Sequence, residues 1–300
     1  MPVKSEFDLE IFDRTYSDLE RFFYNEAIQS RALSPLYNFD SDVDRIELGE
    51  GLCIRRIEKR ELEELLESKF SQSSIFEVMA LKYVIEFDYE TKKLFGEKQT
   101  GGVPQPDVNP WDKIHVLTTA LRLFKSGIIG IDTIKTEQIL DVPIVVSGTS
   151  SYIHGSYIGP KYYLTKAEVD DFKRFRKDFN KIDLNSLDYM RVAVRRFNYA
   201  YERGNLEDKL IDFMVAFEAL FFKQDESGEF RHKLSVRVSR FLEQDYNKRR
   251  LIAKEMGDFY VVRSQIVHGE KVKLKQDLVK TVEDQLGYSL KVCRSLIMMR

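Results

Sequence analysis

Cysteine is scarce in this chain of 300 residues: there are two, Cys53 and Cys293, far apart and with no CxxC neighbour. That argues against a zinc site and against a disulfide framework. There is one tryptophan, Trp111, and there are four histidines. No apolar run approaches the ~18 residues of a membrane-spanning helix. No GxxxxGK[ST], no GxGxxG after a strand, no HExxH and no GxSxG occurs, so a P-loop ATPase is not supported and no metal or cofactor is expected. The first 23 residues are acidic and amphipathic rather than signal-peptide-like, and the cytoplasm is the expected compartment. Internal repeats and low-complexity segments are absent.

What remains is an ordinary globular composition, 43% hydrophobic and 32% charged, long enough to bury a sizeable core without staples. The net charge of −2 hides an asymmetry. Residues 161–300 carry 29 basic against 22 acidic side chains, and residues 1–160 carry 18 against 27. An anionic partner, if there is one, would meet the back half.

The front half reads as mixed α and β. Residues 13–31 have helical apolar spacing at Leu19, Phe22, Phe23 and Ala27. Residues 44–57 alternate as a strand pair turned near Gly49 and Gly51, followed by a short charged helix. Residues 76–90 read as a strand, 94–112 as a Gly- and Pro-rich loop, 112–127 as a helix stopped by Gly127, and 142–148 as a last strand. The aperiodic Gly, Ser and Tyr mixture of 147–163 is the expected boundary. After it, helical periods take over near 165–180, 184–203, 206–223, 229–243, 247–268 and 275–299. Asn205 with Asp208, and Asp245, are expected caps. The predicted fold class is α+β: a mixed α/β N-terminal domain over 1–150, with a possible sensor or regulatory role, and an all-α helical bundle over 160–300.

The chemistry concentrates in FYVVRSQIVHGEKVKL, residues 259–274. Arg263 and His268 lie roughly 140° apart around a regular helix, so they do not share a face. Two devices can bring them together: the long arginine side chain, and a helix end at Gly269 that turns the backbone with positive φ. A helix C-terminus favours positive charge, and histidine titrates near neutral pH. Arginine and histidine are a natural pair for RNA cleavage. The 2′-hydroxyl must lose a proton, the 5′-oxygen must gain one, and the phosphorane needs fixed positive charge. The competing reading is plainer: His268 caps a helix and Arg263 is a surface cation.

RSQIVHG resembles the signature of the HEPN superfamily, and the order of three elements resembles its ApeA-like branch: FEALF with Glu218, LSVR with Arg237, and RSQIVHG with Arg263, Ser264 and His268. The resemblance covers roughly residues 160–300. It implies an all-α bundle that usually dimerises, with two motif helices meeting at a composite cleft that cuts RNA without metal, Arg263 and His268 being catalytic and Ser264, Glu218 and Arg237 supporting. It also implies toxin–antitoxin, CRISPR-associated or antiphage settings, hence a homodimer and an antitoxin or phage-derived trigger as partners, with no membrane. Members that have lost activity serve as binding modules for RNA, nucleotide or protein.

Glu218 and Arg237 each lie on an apolar helix face, where a charge is costly unless paired. The simplest reading is a buried ion pair locking two helices; the other is positioning of Arg263 or His268. Lys271, Lys273, Lys275, Arg231 and His232 are candidate RNA contacts, since phosphate contacts add affinity without sequence choice. Arg191, Arg195 and Arg196 read as a solvated helix face. His115 reads as structural or exposed, and His154 falls in the linker. Tyr152, Tyr157, Tyr162 and Tyr163 read as packing residues or as base-stacking platforms.

Overall fold

The structure is a computed structural model that describes residues 7–24, 27–68, 78–92, 108–139, 148–151, 160–181, 186–223 and 225–298. The chain forms two compact units, and neither is a single stretch of sequence. The first holds 1–37, 42–115 and 131–152; the second holds 38–41, 116–130 and 153–300. The class is α+β, an antiparallel sheet followed by a helical region.

The first unit is built on a six-stranded sheet in the order β3-β4-β5-β1-β6-β7, all pairs antiparallel. The strands are β1 (Ala27–Leu36), β3 (Arg45–Gly49), β4 (Leu52–Arg56), β5 (Tyr83–Lys92), β6 (Thr133–Gln138) and β7 (Gly148–Ser151). The helices are α1 (Leu9–Tyr24) and α2 (Lys59–Ser68), with α3 (Pro110–Phe124) beginning in this unit. The β3–β4 hairpin turns on Glu50 and Gly51, both with positive φ. This primed geometry matches strand twist, and a Cβ on Gly51 would collide with the Asp88 carbonyl.

Alternation splits the sheet into two unlike faces. Ala32, Ile46, Leu52, Ile54, Ile85, Phe87 and Ile134 form one, all buried. The other is charged and centres on Glu86, whose side chain is 5% exposed. Arg55 Nε donates to Glu86 at 2.7 Å, Arg45 Nη2 at 3.2 Å, and Arg31 Nε lies 3.6 Å away. Arg31 also pairs with Asp88, and Arg55 pairs with Glu61 of α2.

Three sequence expectations change here. The helix expected over 13–31 is α1, which ends at Tyr24, and β1 starts at Ala27. That segment lies between β5 and β6, and tertiary pairing overrides its helical spacing. The strand expected over 76–90 begins only at Tyr83, after a helical turn at Val78 and Met79. Residues 76 and 77, most of the 94–112 loop and most of the 142–148 strand lie outside the described residues.

The second unit is mainly helical: the later half of α3, then α4 (Val169–Phe179), α5 (Asp188–Glu202), α6 (Leu206–Phe221), α7 (Phe230–Leu242), α8 (Tyr246–Val267) and α9 (Gln276–Met298). Helices α5 and α6 pack together, as do α7 and α8, and α6 also meets α8 and α9. Phe197, Phe213, Phe217, Leu234, Val238, Met256, Val282 and Leu286 are buried. Asn205 Oδ1 accepts from Asp208 N–H at 2.7 Å, and Asp245 Oδ1 from Lys248 N–H at 2.9 Å, so both expected caps satisfy N-terminal amides. A capping box precedes α4: Glu168 accepts from Thr165, and Lys125 Nζ donates to it at 2.7 Å. Lys125 and the Thr165 amide hold the Glu168 carboxyl down to about 2.

The unit also contains strands, which its sequence does not advertise. β2 (Phe39–Ser41) pairs in parallel with β8 (Tyr162–Leu164). Tyr162 is fully buried, and its hydroxyl donates to the Leu121 carbonyl at 2.8 Å. It is a core residue, not a stacking platform, whereas Tyr163 is exposed. Tyr152, His154 and Tyr157 lie outside the described residues.

Candidate functional site

Helix α8 buries little of itself: Met256, Gly257 and Phe259 are its buried residues. Gly257 lets α7 approach closely. A Cβ there would sit 3.4 Å from Arg231 Nε and Ser235 Oγ, and Arg231 Nε donates to the Gly257 carbonyl at 3.1 Å. The helix ends in two reverse hydrogen bonds, Gly269 N–H to the Ile266 carbonyl and Glu270 N–H to the Gln265 carbonyl. Gly269 has φ +78°. This is a Schellman closure, in which glycine takes the left-handed position without steric cost. It leaves His268 exposed at the helix end. Among the described residues, no ion pair, ring contact or side-chain hydrogen bond engages its imidazole.

Arg263 lies just over one turn earlier and faces a different neighbour. Its Nη2 is 3.6 Å from Glu218 Oε2 on α6, both side chains being 24% exposed. Its guanidinium lies 5.9 Å from the Tyr260 ring centroid, within cation–π range. Its Nε is buried and has no hydrogen-bond partner among the described residues. Burial raises the Glu218 carboxyl above the usual carboxylate range although Arg263 pulls it down. Burial, with the Glu218 charge beside it, also raises the Tyr260 phenol.

Arg237 belongs to a separate cluster. It grips Glu226 with both nitrogens, at 2.6 and 2.7 Å, and donates to the Phe221 carbonyl at 2.7 Å. It is half-exposed, and it holds the Glu226 carboxyl down to about 2, helped by the Lys223 amide and Lys233. The single buried pair read from sequence is therefore two pairs. Glu218 takes its cation from α8, and the α7 arginine closes the segment that joins α6 to α7. Glu226, in a polar stretch between helices, had no periodic signal to mark it.

Ser264 is half-buried, and its carbonyl accepts from the His268 N–H. Beyond the helix end, Lys271, Lys273 and Lys275 are exposed while Val272 and Leu274 are half-buried. This segment turns three cations outward beside His268 in the chain. Arg231 and His232 are at the other end of α8's partner helix and line an open cleft with Ser235, Lys254, Gly257 and Asp258. The structure thus brings Arg263 to Glu218 and Tyr260, and sets His268 in sequence beside the lysines. Arg231 and His232 stand together at their own cleft.

The arginines on α5 do not form one solvated face. Arg191 pairs with Asp188 and Arg195 is exposed, but Arg196 reaches Asp212 at 2.8 Å. Asp212 is 3% exposed and also accepts from Arg203 at 2.7 Å. His115, in the first unit, stacks on Trp111 with ring centroids 5.5 Å apart.

Chemically, the end of α8 offers a guanidinium with a fixed acidic neighbour and an imidazole open to solvent. The first suits a phosphate or a developing oxyanion, and the second suits proton transfer. Among the described residues no group of three or more His, Cys, Asp or Glu is arranged to hold a metal ion, and no helix is long and apolar enough to cross a membrane. Compared with known proteins, the chain matches no family model, no curated protein and no solved structure.

Proposed function

We propose that the chain is a HEPN-type endoribonuclease that cuts RNA without a metal ion, as a toxin or antiphage effector, through a composite site in a homodimer. The observation that carries this reading is the end of α8: Arg263 beside Glu218 and, just over one turn on, His268 exposed at a terminus that Gly269 closes. In the proposed reaction the 2′-oxygen attacks phosphorus and the bond to the 5′-oxygen breaks. The products are a cyclic phosphate and a free 5′-hydroxyl. His268 takes or gives the proton, and Arg263 steadies the phosphorane charge. Within one chain Arg263 is turned to Glu218 and Tyr260 while the His268 imidazole stands exposed, so a second copy would complete the site. Lys271, Lys273 and Lys275 would guide the RNA backbone. Ser264 and Arg237 would support the helices that carry the motif.

The test is incubation of the purified full chain with total RNA in EDTA, beside Arg263→Ala and His268→Ala. Wild-type cleavage lost in both variants is the expected result. Intact RNA with wild type, or equal cutting by both variants, overturns the proposal.

A second reading has its own observation. Arg263 is already occupied by Glu218, and its Nε is buried, as befits a residue that holds two helices together. On this reading the chain is a non-catalytic module for RNA, nucleotide or a protein partner. Its mark is RNA binding without cleavage, together with a loss of thermal stability in Arg263→Ala.

A further inference from the structure

The second unit contains a cavity of about 260 Å³ between α5, α6 and α9, floored by Ile128 and Pro160. It is independent of the nuclease reading. Its walls are mostly apolar, with Phe213, Leu206, Ala200 and Val279 exposing carbon to it. The polar groups are few and unevenly paired. The Tyr201 hydroxyl donates to Glu283 Oε1 at 2.7 Å. Lys280 Nζ reaches the same oxygen at 3.2 Å and Asp284 at 3.0 Å. Glu283 thus accepts from a lysine and a phenol and keeps its charge, and Tyr201 is pinned further by Arg122, 4.6 Å from its ring centroid. Asp277 is on the exposed rim.

Lys209 is the exception. It lines the cavity, is half-buried, and has no ion pair or side-chain hydrogen bond among the described residues. Burial lowers its pKa, only partly offset by the Glu283 charge. A half-buried ammonium with no ion pair or hydrogen bond, and only the more distant Glu283 charge to offset its burial, is costly, and an anion brought into contact with it would recover part of that cost. The space sets the size of the anion. An engineered cavity of about 150 Å³ holds benzene, so this one suits roughly ten non-hydrogen atoms.

We propose that this cavity binds a small monocarboxylate with an apolar or aromatic body, its carboxylate on Lys209 and its body against Phe213, Leu206 and Ile128. Apolar walls with one cation free of direct contacts, and the Glu283 carboxylate also in the lining, favour a singly charged ligand over inorganic phosphate, which would leave the carbon surface wet, meet more repulsion and demand more donors.

The experiment uses the full chain and titration calorimetry with phenylacetate, phenylacetamide, phenethylamine and inorganic phosphate. Phenylacetate is expected to bind, and the amide and the amine at least about tenfold more weakly. Lys209→Met is expected to abolish binding and Lys209→Arg to retain it within a few-fold. Leu206→Trp, which fills the cavity and leaves Lys209 in place, is expected to lose binding as well, so a misfolded Lys209→Met does not leave the question open. Equal binding of acid and amide, tighter binding of the amine or of phosphate, or undiminished binding in Leu206→Trp overturns the assignment.

Discussion

Glu218 on α6 and Arg263 on α8 face each other at 3.6 Å, each about a quarter exposed. The contact is longer than a hydrogen bond, and burial raises the Glu218 carboxyl despite the arginine. Desolvation therefore outweighs attraction at this pair, the usual hazard of removing charges from water.

A carboxyl with a raised folded pKa holds its proton longer in the folded state. Its contribution is fully present below the unfolded carboxylate value and is lost as pH rises through the folded value. Glu218→Gln should thus melt no lower than wild type at pH 7, and its melting temperature should fall less than wild type's between pH 4 and pH 7. Arg263→Ala leaves the buried acid uncompensated and should cost about 1–3 kcal/mol at pH 7. Denaturant unfolding of the three proteins across that range checks both. A Glu218→Gln protein clearly less stable than wild type at pH 7 would contradict the first.

Gly269 closes α8 with φ +78°, and a Cβ there would meet nothing within 4 Å. The cost of Gly269→Ala is then backbone strain alone, about 1 kcal/mol. If the helix end sets His268, the same substitution should reduce RNA cleavage much further than its loss of stability explains. Gly269→Asn, which tolerates the left-handed region better, should fall between alanine and wild type in both unfolding and cleavage assays.

Glu86 gathers three arginines on the charged face of the sheet. Removing it leaves Arg55, which is 10% exposed, without the acid that its Nε meets on the neighbouring strand, although Glu61 remains. Breaking a buried pair in this way costs about 3–5 kcal/mol. Glu86→Ala should approach that loss. Glu86→Gln, which keeps an acceptor oxygen for Arg55, should lose less. Urea midpoints at constant m-value measure both.

The helices of the second unit were readable because apolar period and punctuation agree: Asn205 and Asp245 open helices with side-chain caps, and Gly269 closes one. The sheet was readable only in part. Gly49 and Gly51 betray the β3–β4 hairpin, but β1 hides because its first half follows on from helical apolar spacing and its second half, Ala32–Leu36, is buried on both faces between β5 and β6. Ser34 sits in that strand with its hydroxyl satisfied by the Thr133 carbonyl at 2.8 Å, a partner far along the chain. At the site, the segment from Arg263 to His268 was visible as residue types. Its electrostatics were not, because Glu218 and Glu226 choose their arginines by the way the helices pack. Lys209 was invisible for the same reason: at the level of sequence it is one more lysine in the first turns of a helix.

Gly257 yields the least intuitive expectation. It lies in the middle of α8, where glycine costs about 1 kcal/mol relative to alanine. A Cβ would lie 3.4 Å from Arg231 Nε and Ser235 Oγ, ordinary contact at its near limit. Gly257→Ala should therefore raise stability by about 0.5–1 kcal/mol, since the helix gains propensity and the unfolded chain loses freedom. Gly257→Leu has no such room against α7 and should be destabilising by at least about 1–3 kcal/mol through overpacking. The hydrogen bond from Arg231 to the Gly257 carbonyl makes the pair of outcomes informative. If alanine also destabilises, α7 cannot give way even to a methyl group, and the glycine is required for packing. If leucine is tolerated, α7 can shift away and the cleft of Arg231 and His232 is not rigid. Thermal melts of the two variants beside wild type decide between these cases.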